Sequence, residues 1–338
     1  CPRCGTGISQ HEISSEERPA LTHLSPTVRL PIHGRDGEYL LIWTTTPWTL
    51  TSNVAAAVHP EETYVRFRQG DGVYHVIKER LEAVSSGLGE VEVLGELTGA
   101  DLADVTYDGP FDELPAQEGV GHRVIFWKEI SAEEGTGIVH IAPGCGKEDY
   151  DLGREFDLAV IGPIDESGTF KEGFGELTGK NAAEVPDEII ASLRDKGLLY
   201  RAEEYTHNYP ICWRCKTPLL FRLVDEWYIA MGDNDPPSGL RKEIIAVTEQ
   251  TDWIPPVGRQ LEIEWLHNMH DWMISKKRYW GLALPIYKCG CGNFDVIGSR
   301  EELRERAIEG WDEFDGHTPH RPWVDAVKIA CSACDEPV

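Results

Sequence analysis

The sequence predicts an α+β fold: a β-barrel-like domain inserted at a neck held by paired cysteines, then a mixed helical segment and a small cysteine ribbon. Three observations predict it. Eight of the nine cysteines fall into four close pairs. Short strand-like runs broken by glycine turns fill residues 21–200, and the chain turns more helical and tryptophan-rich beyond Cys215. These features divide the chain into a first knuckle and neck (1–20), the inserted domain (21–200), a return neck with the second knuckle (201–285) and a second ribbon module (286–338).

The pairs are Cys1 and Cys4 in "CPRCG", Cys212 and Cys215 in "CWRCK", Cys289 and Cys291 in "KCGCG", and Cys331 and Cys334 in "CSAC". Two thiolates in one tight turn reach one ion, and two such knuckles complete a tetrahedral zinc site. Sequence-local pairing joins Cys289 and Cys291 to Cys331 and Cys334, leaving Cys1 and Cys4 to meet Cys212 and Cys215. The latter pairing makes the neck a zinc clasp around everything between, with no open ligand position and hence a structural role. Disulfides or unliganded cysteines are the weaker reading, since a reducing compartment lacks the oxidising setting that disulfides need. His207, in "HNYPICWRC", is a possible substitute ligand but reads better as a packed surface histidine, and the unpaired Cys145 as a small buried apolar residue.

At 338 residues and 41% hydrophobic, the chain can bury substantial cores. Fifty-eight acidic against 32 basic residues give a net charge of −26, which favours solubility and disfavours a simple polyanion-coating role. Any nucleic acid must meet a local basic patch. The clearest is Lys276, Lys277, Arg278, Tyr279 and Trp280; Arg300, Arg304 and Arg306 add charge beside several glutamates and read equally well as a solvated helix face. No apolar run nears ~18 residues and no signal-peptide pattern is present, so a cytoplasmic chain without membrane contact is expected; a monomer is expected as well. The chain starts on Cys1 without methionine, which suggests a piece of something longer.

Within the inserted domain, "YLLIW" (Tyr39 to Trp43) is a continuous apolar run of strand length, and "YVRFRQGDGVYHVIK" reads as a hairpin around Gly70, Asp71 and Gly72. "VIFW" and "TGIVHIAP" are further strands. "NAAEVPDEIIASLRDKGLL" reads as a helix with Asn181 as its N-cap and Gly197 as its stop, its start blurred by Pro186.

Two segments carry candidate chemistry. "WTTTPWTLTSN" lines up Thr44, Thr45 and Thr46 before Pro47; strand alternation puts Thr44 and Thr46 on one side, and the proline turns the chain so that hydroxyls and amides gather at a strand end. "GTGIVHIAPGCGKEDY" offers His140 on a strand and Asp149 after a glycine-rich loop, Asp149 serving alternatively as a helix cap. An anion, an imidazole and several hydroxyls suit a polar small molecule bearing an ammonium group.

"WTTTPWTLTSNVAAAVHP" with "GTGIVHIAPGCGKEDYDLG" resembles the editing domain inserted in isoleucyl-tRNA synthetases, and "CPRCG", "HNYPICWRCKTPL" and "WMISKKRYWGLALPIY" fall in that family's order across the chain. The strings typical of the valine and leucine enzymes are absent, as are the two adenylate-forming signatures. The resemblance implies hydrolysis of valine misattached to tRNA(Ile), with ATP and magnesium needed only by the full-length enzyme and the remainder of the synthetase a partner in cis. It implies that Asp149 binds the α-ammonium, that His140 walls the side-chain pocket, that Thr44, Thr45 and Thr46 serve the ester, ribose and water, that Trp48 packs near the terminal adenosine, and that Asn53 lines the pocket. The sequence departs from relatives at Cys145 and at Thr51, where proline is common. A rival reading is a non-catalytic zinc-ribbon module that binds RNA or protein; it has no need of the threonine and His140–Asp149 segments.

Overall fold

Strand β1 (Ala20–Pro31) opens an ordered run of nine: β2 (Glu38–Trp43), β3 (Ala55–Val58), β4 (Thr63–Gln69), β5 (Gly72–Ile77), β6 (Glu92–Thr98), β7 (Arg123–Phe126), β8 (Ile138–Ile141) and β9 (Leu199–Asn208). The structure is a computed structural model that describes residues 1–8, 12–13, 19–275 and 283–338. It divides into two units, Cys1–Asp225 and Glu226–Val338.

In the first unit six strands form one mixed sheet in the order β6-β4-β5-β2-β1-β9, and three form another in the order β7-β3-β8. The unbroken apolar run in β2 follows from burial on both faces: Leu40 and Ile42 enter the main core, while Leu41 enters a second cluster with Phe67, Tyr74 and Tyr200. The expected hairpin forms as β4 and β5, Gln69 pairing with Gly72 across Gly70 at φ +59°. β2 runs parallel to β5, and β3 parallel to β7.

The expected barrel does not close. Among the described residues the larger sheet ends in β6 and β9 and the smaller in β7 and β8, as open mixed sheets. The outer strand β6 carries Glu92 and Glu96 in a mostly exposed pattern, the charged edge that discourages further pairing.

Three helices flank the sheets: α1 (Leu81–Ser85), α2 (Lys147–Glu155) and α3 (Pro186–Asp195). α3 begins at Pro186, whose fixed φ suits a first helical position, so Asn181 does not cap it and instead bridges to Thr169. Ile189, Ile190 and Leu193 form its buried face.

The second unit holds α4 (Gly239–Gln250) and α5 (Val257–Asn268), tied by the buried Arg241, which donates to the carbonyls of Leu266 and of Met269 at 2.7 Å. Beyond them a small module pairs Ile286–Lys288 with Phe294–Val296 and packs Ile297, Leu303, Phe314, Val327 and Ile329 into its own core. Among the described residues no helix is long and apolar enough to cross a membrane.

Candidate functional site

β2 stops at Trp43, and the threonine row forms the link into a 3-10 helix, Pro47–Ser52, with Pro47 at its first position. The Thr44 hydroxyl accepts the Thr46 N–H at 3.1 Å, a local turn that leaves the two hydroxyls 3.2 Å apart on one side. One tight turn later, where residues three apart eclipse, Thr49 donates to the Thr46 carbonyl at 2.8 Å. Thr51 donates its hydroxyl to the Trp48 carbonyl at 2.8 Å and keeps this helix closed.

Facing this turn is β8. His140 pairs in register with Ala56, whose side chain enters the main core, so the imidazole is turned the same way, toward the 3-10 helix. Its Nε2 lies 2.8 Å from the Thr49 hydroxyl and its Nδ1 3.1 Å from Asn53 Nδ2. Burial pulls the imidazole down to about 4, so it is neutral at physiological pH.

Asp149 occupies the third position of α2. Its Oδ1 accepts the Ala142 N–H at 2.8 Å. Glycine spacing in "PGCGKED" has a packing cause: a Cβ on Gly146 would sit 2.2 Å from Asp149 Oδ2, and one on Gly144 would sit 1.9 Å from the Ile161 carbonyl oxygen. Burial raises the Asp149 carboxyl above its ordinary range, against the pull of the Ala142 and Asp149 backbone amides.

These segments surround a cavity of about 380 Å³, lined by Thr44, Thr45, Thr46 and Thr49 together with His140 and Asp149. Glu129 and Glu134 also line it, so the site is acidic and favours a cation. Cys145 lines it too; burial, then the charge of Asp149, pushes its thiol far up, which leaves a protonated, poor nucleophile.

Trp48, expected near the terminal adenosine, and Asn53, expected to line the pocket, are not on the cavity wall. Trp48 is 5% exposed and packs in the main core, whereas Trp43 and Trp127 face the cavity. Asn53 is fully buried behind His140. Sequence reasoning passed over Thr49, although Pro47 as a helix starter signals that a residue three beyond Thr46 returns to its face. It also missed Tyr107, whose hydroxyl donates to Asn53 Oδ1 at 2.9 Å from 54 residues away; no local pattern marks it.

The eight paired cysteines assemble as the spacing predicts, Cys1, Cys4, Cys212 and Cys215 in one group and Cys289, Cys291, Cys331 and Cys334 in the other. Sulfur separations of 3.4 Å (Cys1–Cys215), 3.5 Å (Cys289–Cys334) and 3.8 Å (Cys291–Cys331) suit the edges of a tetrahedron with bonds of about 2.3 Å, and four thiolates are a zinc donor set. Both groups can hold zinc. His207 joins neither: its ring contacts His23 at 2.9 Å on the β1–β9 pair. The basic stretch Lys276 to Trp280 lies outside the described residues. Arg300 and Arg306 pair with Asp315 at 3.1 Å and Asp295 at 2.8 Å within the small module.

Residues 1–316 match the family model for class I tRNA synthetases of the I, L, M and V group. The chain is 38% identical over 340 residues to isoleucine–tRNA ligase of Methanothermobacter thermautotrophicus, covering 99% of this chain and 31% of that protein. It is 38% identical to the enzyme of Archaeoglobus fulgidus (98% and 32% covered) and 36% to that of Clostridium tetani (99% and 31%). The chain thus spans about a third of the length of the curated relatives it matches. Among solved structures, GlLeuRS-CP1 superposes with a TM-score of 0.43 at 15% identity, covering 54% of this chain and all of that one. The editing domain of the P. knowlesi cytosolic leucyl-tRNA synthetase gives 0.33 at 14% identity, covering 40% and 63%.

Proposed function

Because this chain belongs to the class I tRNA synthetases of the isoleucine, leucine, methionine and valine group, we propose that its cavity is a proofreading site that hydrolyses valine misattached to tRNA(Ile). The observation that carries this reading is the enclosure of Asp149, His140 and the threonine row around a single acidic hollow. The need for such a site follows from a limit on selection by size: one methylene distinguishes its bearer by only about 1–3 kcal/mol, the isoleucine–valine pair being the standing example.

In this reading the Asp149 carboxylate takes the α-ammonium of the aminoacyl group, a charge-assisted contact that every aminoacyl ester offers. Burial makes that carboxylate costly while alone, and the bound cation offsets the cost. Thr45 and Thr46 present hydroxyls to the ester and ribose, the Thr46 amide being held by the Thr44 hydroxyl, and His140 bounds the side-chain space against isoleucine. Water attacks the acyl carbon, the bond from that carbon to the ribose oxygen breaks, and the ribose oxygen takes up a proton. The ester is already activated, so oriented donors suffice without a protein nucleophile.

The partners in this reading are tRNA(Ile) and the rest of the synthetase in cis, which would also supply the ATP and magnesium chemistry. Val257, Leu261 and Trp265 support a covered face: they recur every fourth residue along α5 and are 56%, 58% and 50% exposed. The zinc groups have closed donor sets and a structural role.

The test is deacylation of valyl-tRNA(Ile) by the chain. Asp149→Asn is expected to lower kcat/KM on the order of 10–100-fold, and His140→Ala to admit isoleucyl-tRNA. Wild-type levels of valine release by Asp149→Asn would end the assignment, and no release by any form would leave a zinc-ribbon binding module as the better account.

A further inference from the structure

Behind the cavity wall runs a chain of buried hydrogen bonds whose direction can be read. Tyr107 donates its hydroxyl to Asn53 Oδ1 at 2.9 Å; burial keeps this phenol protonated. The Asn53 amide has one orientation, because its Nδ2 faces the Ala55 carbonyl at 3.0 Å, and a carbonyl only accepts. That same Nδ2 lies 3.1 Å from His140 Nδ1. It therefore donates there, and Nδ1 must carry a lone pair. The proton of the neutral ring then sits on Nε2, 2.8 Å from Thr49 Oγ1. Thr49 can accept it because its own hydrogen is committed to the Thr46 carbonyl at 2.8 Å. Each donated hydrogen has its own acceptor from Tyr107 to the threonine row, the two on Asn53 Nδ2 going to Ala55 and His140, and Asn53, Tyr107, Thr49 and His140 are at most 8% exposed.

We propose that Asn53 and Tyr107 are positioning residues that act through His140, locking its imidazole as the Nε2–H tautomer with both nitrogens engaged, so that it is a fixed wall and donor and does not serve as the base that activates water. Asn53 thereby leaves the set of residues expected to touch substrate. The titratable groups around the ring are Tyr107 behind it and Glu129, Glu134, Cys145 and Asp149 on the cavity wall; the bonds to His140 go to Asn53 and Thr49. The catalytic consequence rests on the deacylase reading, whereas the tautomer does not.

The experiment is ¹⁵N NMR of the histidine-labelled chain. His140 is expected as a single Nε2–H tautomer that does not titrate between about pH 5.5 and 8, where an ordinary imidazole does. Asn53→Ala is expected to bring in the second tautomer and to lower kcat for valyl-tRNA roughly tenfold with KM little changed. Should Asn53→Ala fail to fold, Tyr107→Phe keeps the ring in the core and removes only the hydroxyl; it is expected to broaden or shift the His140 signals. A wild-type His140 protonated on Nδ1, or titrating near its ordinary value, would overturn the inference. So would His140 signals that neither substitution alters. A locked tautomer in a chain without deacylase activity would overturn the reaction and leave the inference standing.

Discussion

Two titratable residues in the cavity contribute to stability with opposite dependence on pH. His140 is held at about 4, while an unfolded histidine titrates near 6.5. Between those values the unfolded chain binds the extra proton, so the contribution is complete above about 6.5 and is lost as pH falls toward 4. The size is on the order of 3 kcal/mol. His140→Gln should therefore flatten the fall of the urea midpoint across that interval; an unchanged slope would show that the ring is charged when folded. For Asp149 the sign reverses. Its folded carboxyl is raised, so its contribution is present below the unfolded value and is lost as pH rises through the folded one. Asp149→Asn, which keeps an oxygen for the Ala142 amide, should leave the neutral-pH melting temperature equal or higher while deacylation falls. A residue that weakens the fold and is retained at a cavity wall is the pattern of stability yielded to function.

Two short elements, the 3-10 turn after β2 and the turn into α2, set the geometry of the cavity, and both were partly legible. The threonine row, Pro47 and the "GCGKED" glycines are local signals, and each turns out to have a local cause: a hydroxyl-to-amide turn at Thr44, a helix start at Pro47, and backbone too close for a Cβ at Gly144 and Gly146. Tyr107 and the turned-in Trp43 had no such mark, because their places depend on how β2, β3 and β8 are layered and not on their neighbours in sequence. Gly146 gives the sharpest test at this scale. Its φ is −146°, ordinary extended backbone, so Gly146→Ala carries no conformational strain. Its Cβ would nevertheless strike Asp149 Oδ2. Expected is a folded chain with unchanged zinc content whose KM for valyl-tRNA rises on the order of tenfold. Activity equal to wild type would show that the carboxylate does not need the place it occupies.

Across the whole chain, pairing of distant parts was legible only where chemistry forces it. Four thiolates need one another, so the cysteine spacing alone predicted both groups, including the one that joins residues 214 positions apart. Sheets carry no such requirement. Whether β6 and β9 meet depends on strand order and on the parallel β2–β5 pairing, which alternation does not encode, and the expected barrel is an open sheet for that reason. The clasp leads to a test that separates scaffold from site. The cavity is built from β2, the turn between β2 and β3, the stretch 127–137 between β7 and β8, β8 itself, and the loop leading into α2 with that helix's first turn, none of which contributes a cysteine to either group. Metal binding to such groups is part of the folding free energy, and closing a long loop contributes most through the unfolded chain. The native chain is therefore expected to hold two zinc ions and Cys215→Ser one. Losing the neck metal should lower the melting temperature by several degrees, since 1 kcal/mol shifts a domain of this size by about 2–4 °C. The His140 tautomer signal should persist below that transition. Its disappearance on metal removal, with the chain still folded, would mean that the clasp shapes the cavity and does not merely close the neck.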